Sequence, residues 1–266
     1  MNSLLNAPDR QVPLLSVDSL TVRYGSLTAV SSLSLTVCSG DWLMLIGPNG
    51  AGKSSVIRAI SRNVPYSGRI LLDGTDVRRL TAAELARGVG VLSQSSRVEY
   101  AYTVEEIVRL GRYAHERGIF FHRDPRGPEH VDRALEAVGL SGLRHACVPN
   151  LSGGEAQRVF LAQVFAQDPR LLILDEPANH LDLKYQRQIF TLIGEWLKQE
   201  GRAVISVVHD LSLARRFGTR TLLMREGRCA AMGTPEEVFT PALLQEAYGM
   251  DVHAWMRELN SFWTEA

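Results

Sequence analysis

The sequence predicts an α/β fold, a mostly parallel sheet joined to an N-terminal antiparallel β subdomain and an inserted helical subdomain. Three observations carry that prediction. From Leu14 to Ile46 apolar and polar residues alternate, as in LTVRY and LSLTV, the period of half-buried antiparallel strands. From about residue 90 onward, short and wholly apolar runs are followed by helical stretches, the pattern of strands buried on both faces in βαβ units. Between Gln94 and Asn150 helical periodicity replaces that rhythm.

The elements follow in order. SGRILLDGTDV, Ser67 to Val77, reads as a strand pair turning at Asp73-Gly74. Thr103 and Glu106 have capping-box spacing before IVRLGRYAHERG, and Glu129–Val138 has helical periodicity. GIFFHRDPRGPE between them reads as a loop from its glycine and prolines. The expected layout is one domain over 1–266, with a core from about 14–93 and 165–235. A helical subdomain from about 95–165 interrupts it, and a helical tail spans about 234–266. In that tail Val252, Trp255, Met256, Leu259, Phe262 and Trp263 fall on one helical face. That face is expected to pack on its own domain or on a sister subunit. Its polar side is not rich in Lys or Arg, which disfavours membrane-surface binding.

Composition excludes several classes. With 29 acidic and 29 basic residues the chain has no net charge, which argues against a broad basic grip on nucleic acid while leaving a local patch open, and no nucleic-acid partner is expected. The N-terminus lacks the charged and apolar regions of a secretory signal. No window approaches eighteen consecutive apolar residues, so a soluble protein with at most a peripheral membrane role is expected. Cys38, Cys147 and Cys229 are far apart, which argues against a zinc site or disulfide framework and for a reducing cytoplasm.

The chemistry begins at GPNGAGKS: Gly47, Pro48, Asn49, Gly50, Ala51, Gly52, Lys53 and Ser54, with Ser55 following. An apolar strand, Trp42–Ile46, runs into it and SSVIRAI leaves it as a helix, the setting of a P-loop nucleotide-hydrolase core. Backbone N–H groups there can turn inward around phosphates. Lys53 can reach the β- and γ-phosphates, and the Ser54 hydroxyl is a hard ligand suited to Mg²⁺.

LLILDEP, Leu171 to Pro177, is a buried strand stopping at two acids. Successive strand side chains point oppositely, so Asp175 and Glu176 are expected to differ in role. Asp175 would orient Mg²⁺ through a water, and Glu176 would polarise the attacking water as general base. His209 follows AVISVV and Gln94 follows GVGVLS, so four strands deliver polar groups at one sheet edge, where ligands bind in open parallel sheets.

A second anion-ready site is LSGGE: Leu151, Ser152, Gly153, Gly154 and Glu155. Ser152 and Glu155 have capping-box spacing, and two bare glycines leave the positive helix start open. Since the first loop already surrounds one side of a triphosphate, this one makes sense approaching from the other side, lent by a second subunit.

In this order, GPNGAGKS, a Gln after a strand, LSGGE, LLILDEP and a His after the next strand resemble the ATP-binding cassette ATPases over nearly the whole chain. The resemblance implies ATP and Mg²⁺ as ligands and a head-to-tail homodimer with two ATPs at its interface. Each ATP would lie between the cradle of one subunit and LSGGE of the other. It implies that Tyr24, in VRYG, stacks on adenine, that Gln94 touches Mg²⁺ and the lytic water, that His209 contacts the γ-phosphate, and that Asp182 in ANHLD helps join the two sites. Glu155 stands where Gln is frequent.

Lacking a membrane span, a long coiled-coil insertion and zinc cysteines, the chain is expected to work with separate multi-span permease subunits at the cytoplasmic face of the membrane. GRYAH (Gly111–His115), NHLDLKYQ, HDLSLARRF and GTPEEVFTPALLQEAYGMDV resemble the ATPases of iron-chelate, haem and vitamin B12 importers, with Ala114 where Pro is usual. That subgroup implies an extracytoplasmic substrate-binding protein as an indirect partner. Two other readings stay open on the residues: a soluble regulatory ATPase switching a protein or nucleic-acid partner, and an exporter subunit. Co-purification with a permease separates the first, and transport direction the second.

Overall fold

A computed structural model describes residues 12–93, 100–116, 124–179 and 181–264. The first strands are β1 (Leu15–Tyr24), β2 (Leu27–Val37) and β3 (Trp42–Ile46). After β3 come α1 (Lys53–Ile60), the hairpin of β4 (Ser67–Leu72) with β5 (Thr75–Asp76), α2 (Ala82–Gly88) and β6 (Val89–Leu92). Among the described residues three α-helices lie between β6 and the next strand: α3 (Val104–Leu110), α4 (Gly127–Ala137) and α5 (Gly153–Gln167). The chain continues through β7 (Leu171–Asp175), α6 (Leu183–Leu197), β8 (Ala203–Val207), α7 (Leu211–Phe217), β9 (Arg220–Arg225) and β10 (Arg228–Gly233). It closes with α8 (Pro235–Val238), α9 (Pro241–Tyr248) and α10 (Val252–Thr264).

Two sheets result. One is antiparallel, in the order β2-β1-β4-β5; the other runs β10-β9-β3-β8-β7-β6 and is parallel except for β10 against β9. The alternating segment therefore divides: β1 and β2 stay antiparallel while β3 joins the parallel sheet. Period-2 geometry shows why β3 is apolar throughout. Trp42, Met44 and Ile46 enter the core packed under α5 and α6, while Leu43 and Leu45 enter the core between the two sheets. The β4–β5 turn has Asp73 at φ 48° and Gly74 at φ 75°, the two left-handed residues of a type I′ hairpin.

The capping box at Thr103 and Glu106 starts α3 as expected, but that helix ends at Leu110, and α4 starts at Gly127 inside the stretch read as loop. GRYAH forms a clasp on the far end of α5. A Cβ on Gly111 would overlap the Gln163 carbonyl oxygen. Arg112, only 4% exposed, donates to Ala166 O at 2.7 Å and to Asp124 Oδ2 at 2.7 Å. Burial holds His115 below the usual imidazole range, and its neutral Nε2–H donates to Gln167 O at 2.8 Å. These bonds satisfy carbonyls at the C-terminus of α5, the end opposite LSGGE.

The tail helix α10 meets its own domain along part of the expected apolar face, and the expected alternative, a sister subunit, lies outside a single chain. Val252 is buried and Met256 packs against the core, but Phe262 and Trp263 are 73% and 82% exposed, and Trp255 and Leu259 are also exposed. No helix among the described residues is long and apolar enough to cross a membrane.

Candidate functional site

The parallel register brings β3, β8 and β7 side by side, so their C-terminal ends form one edge. Gly47 follows β3, Asp175 and Glu176 close β7, and His209 follows β8. Gln94, two positions after the end of β6 in the sequence, falls outside the described residues.

Two glycines shape the loop after β3. Gly47 has φ 139° and a Cβ there would overlap the Met224 carbonyl oxygen of β9, whereas Gly52 has φ 97° and faces the Ala29 carbonyl. Any other residue at either place meets both a strained backbone and a fixed carbonyl. Gly52 caps α1 with no side-chain hydrogen bond, which leaves the N-terminal amides of the helix available to an anion. Lys53 is 5% exposed and donates to Gly47 O at 2.7 Å and Pro48 O at 2.9 Å. Burial lowers its affinity for a proton, while Glu176 and Asp175 act the other way.

Asp175 and Glu176 face different partners. Ser54 Oγ donates to Asp175 Oδ1 at 3.3 Å, placing two hard oxygens together, a donor set that suits Mg²⁺ shared with substrate phosphates. Burial, and then the neighbouring Glu176 charge, raises the Asp175 carboxyl above the usual range. Glu176 sits at φ 54°, a left-handed conformation that costs a non-glycine residue about 1–3 kcal/mol. Its Oε1 lies 2.5 Å from His209 Nε2 and its Oε2 accepts from Asn179 Nδ2 at 2.7 Å.

A cleft of about 410 Å³ joins these groups. Tyr24, Asn49 to Ser55, Glu176 and His209 line it together with Leu27 and Ala29. Tyr24 is 41% exposed, so its ring is open to a planar ligand. A larger cleft, about 850 Å³, lies along α6 and α5 near Arg158, Lys184 and Arg187, away from the strand-end carboxylates.

LSGGE is not in the 410 Å³ cleft. Ser152 accepts from Glu155 N, and Glu155 Oε2 in turn accepts from Ser152 N at 2.9 Å and Ser152 Oγ at 2.7 Å, a closed capping box that starts α5. Those bonds hold the Glu155 carboxyl below the usual range, which gives the Glu in place of Gln a local use. The glycines are not equivalent, contrary to the reading of both as bare. Gly153 has open space around it, but a Cβ on Gly154 would come 2.6 Å from the Tyr185 ring of α6. Asp182 caps α6 by accepting from Tyr185 N at 3.0 Å. Gln157 Nε2 donates to Pro177 O at 3.1 Å and ties α5 to the turn after Glu176.

Asn179 is a site neighbour that the sequence reading missed. It lies within NHLD but has no signal of its own.

The family model described as ABC transporter matches residues 30–179. The ferric enterobactin transport ATP-binding protein FepC of Escherichia coli (strain K12) is 35% identical over 88% of this chain and 86% of its own length. The hemin import ATP-binding protein HmuV of Chelativorans sp. (strain BNC1) is 39% identical over 88% of this chain and 91% of its own. Among solved structures, the ADP conformation of MJ1267, an ATP-binding cassette of an ABC transporter, superposes with a TM-score of 0.79. It is 23% identical and covers 90% of this chain and 99% of that one.

Proposed function

This chain belongs to the ABC transporter family, and on that premise we propose that it hydrolyses ATP to energise uptake of an iron chelate or haem through a separate membrane permease. Its relatives are named for ferric enterobactin and hemin transport, which favours that cargo over cobalamin. The observation that carries the ATPase reading is the meeting of the P-loop, Glu176 and His209 in one cleft, with Asp175 hydrogen-bonded to Ser54 at the same sheet edge.

Tyr24 offers its exposed ring to the adenine. The free amides of the loop and of the α1 start take the phosphates, and Lys53 leaves the Gly47 and Pro48 carbonyls to join them. Ser54 and Asp175, with Gln94 beyond the described residues, would hold Mg²⁺, Asp175 through a water. Bound there, the ion would neutralise charge on the phosphates. Glu176 takes the proton of the attacking water, and His209, already 2.5 Å from that carboxylate, shifts its hydrogen bond to the γ-phosphate.

Leu151 to Glu155 act on the nucleotide of a second copy, because within one chain they do not line the cleft. Gly153, with open space around it, is the approach point. Asp182, at the α6 start, belongs to that interface. ATP thus closes two copies head to tail, and hydrolysis releases them. The helices between β6 and β7 form the subdomain that passes the motion to the permease at the cytoplasmic face of the membrane, with an extracytoplasmic binding protein as indirect partner.

Replacing Glu176 with Gln tests the reading. It removes the base and leaves the cradle, so ATP binding is retained while turnover falls roughly 10²–10⁴-fold. Near-normal phosphate release from that variant would take Glu176 out of its role.

A further inference from the structure

Helix α5 starts within LSGGE and is tied to the turn that carries Glu176. Gly153 and Gln157 stand four positions apart on it, so they share one face, a single turn from each other. A Cβ on Gly153 would meet nothing within 4 Å, and this is where the second copy's nucleotide arrives on the reading above. Gln157 Nε2 donates to the Pro177 carbonyl at 3.1 Å, and Pro177 is the residue after Glu176.

Both ends of that bond are stiff. The capping box closes the first turn of α5, and Gly154 rests on the Tyr185 ring. On the other side Glu176 is left-handed at φ 54°, its N–H is held by Val207 O of β8 at 3.1 Å, and the Pro177 ring fixes the next φ. Asn179 N donates to Glu176 O at 3.1 Å and closes the turn. A shift of the Pro177 carbonyl therefore reaches Glu176 instead of being absorbed in loose backbone. We propose that Gln157 is a positioning residue that couples the two nucleotide sites: when the second copy's ATP meets Ser152 and Gly153, the hydrogen bond from Gln157 to Pro177 sets this chain's Glu176 for its own attacking water. On the shared-nucleotide reading, on which this rests, the loop serving one site thereby tunes the base at the other.

Mixed dimers of full chains test the coupling. A chain with intact Glu176 is combined with a large excess of the Glu176→Gln chain and Mg-ATP, so that one base works per pair and phosphate release reports it. Gln157→Met keeps the length of the side chain and removes the donor. Placed in the chain with intact Glu176, it is expected to lower kcat about 3–10-fold, the worth of one ordinary hydrogen bond, with KM for ATP unmoved. Placed in the Glu176→Gln chain, it is expected to leave kcat within about twofold of the parent pair. The working site borrows LSGGE from the Glu176→Gln chain, so a Gln157 that merely shapes that loop gives the reverse pattern, and the reverse pattern overturns the proposal. Equal losses in both placements, or none in either, overturn it as well. Should Gln157→Met not fold, Gln157→Glu, which also keeps the shape and lacks the N–H, takes the same two placements. Failure of the parent chain and the Glu176→Gln chain to pair in Mg-ATP would sink the shared-nucleotide reading itself, an outcome distinct from these.

Discussion

Gly153 and Gly154 stand next to each other at the start of α5, and the structure assigns them opposite reasons for being glycine. A methyl on Gly154 would lie 2.6–2.8 Å from three carbons of the Tyr185 ring, which Arg158 overlies at 5.9 Å and which sits one turn into α6. Overpacking of that kind costs about 1–3 kcal/mol, and the helix propensity gained by Ala offsets less than about 1 kcal/mol in a first turn. Gly154→Ala should therefore lose about 1–2 kcal/mol, a fall in Tm of roughly 2–8 °C for a chain of this size. A methyl on Gly153 meets nothing within 4 Å, so Gly153→Ala should melt at or slightly above the parent temperature. Its deficit should appear in turnover. If that amide donates to a phosphate of the second copy, holding the two apart removes a charge-assisted hydrogen bond, a loss of roughly tenfold or more in ATPase rate. Thermal unfolding without nucleotide and phosphate release with Mg-ATP, measured on both variants, separate the two effects. Equal melting of the two, or parent-like turnover by Gly153→Ala, would refute the reasoning.

Other expectations follow from the same geometry. The Asp175 carboxyl is raised by burial and by Glu176, and a proton there competes with Mg²⁺. The sign is fixed: a raised folded-state pKa favours the nucleotide-free fold at low pH and loses that contribution as pH rises through it, whereas Mg-ATP needs the ionised form. Stabilisation by Mg-ATP in thermal melts should therefore shrink as pH falls, and Asp175→Asn should flatten the acid side of the profile; identical profiles would contradict the assignment. Asn179→Ala removes the 2.7 Å donor to Glu176 Oε2 and should lower kcat about 3–10-fold with KM for ATP unmoved, since the nucleotide cradle is intact. A change in KM alone would show that Asn179 acts elsewhere.

Local chemistry was legible in the sequence. The capping boxes at Thr103 and Ser152, the Asp73-Gly74 hairpin and the abrupt ends of the apolar runs at Asp175 and His209 all lie within a few residues, where spacing and side-chain type decide the geometry. What sequence could not show was contact between distant elements. Gly154 reads as a bare helix start until Tyr185 is seen against it. GRYAH carried a subgroup resemblance, yet its physical work is to close the end of α5 through Arg112 and His115, on carbonyls some fifty positions away. Amphipathic periodicity in α10 was read correctly as a helix, but periodicity does not say what an apolar face packs against, and here Phe262 and Trp263 face solvent. The left-handed backbone at Glu176 had no signal either, because glutamate gives no hint of positive φ.

The central claim is that each nucleotide is shared between two copies of this chain. Sedimentation of Glu176→Gln with Mg-ATP tests it most directly, since that variant should bind without resolving the complex. The mass should double on addition of Mg-ATP, with one nucleotide bound per chain, and return to that of one chain when nucleotide is withdrawn. A particle of single-chain mass, saturated with ATP, would contradict the account.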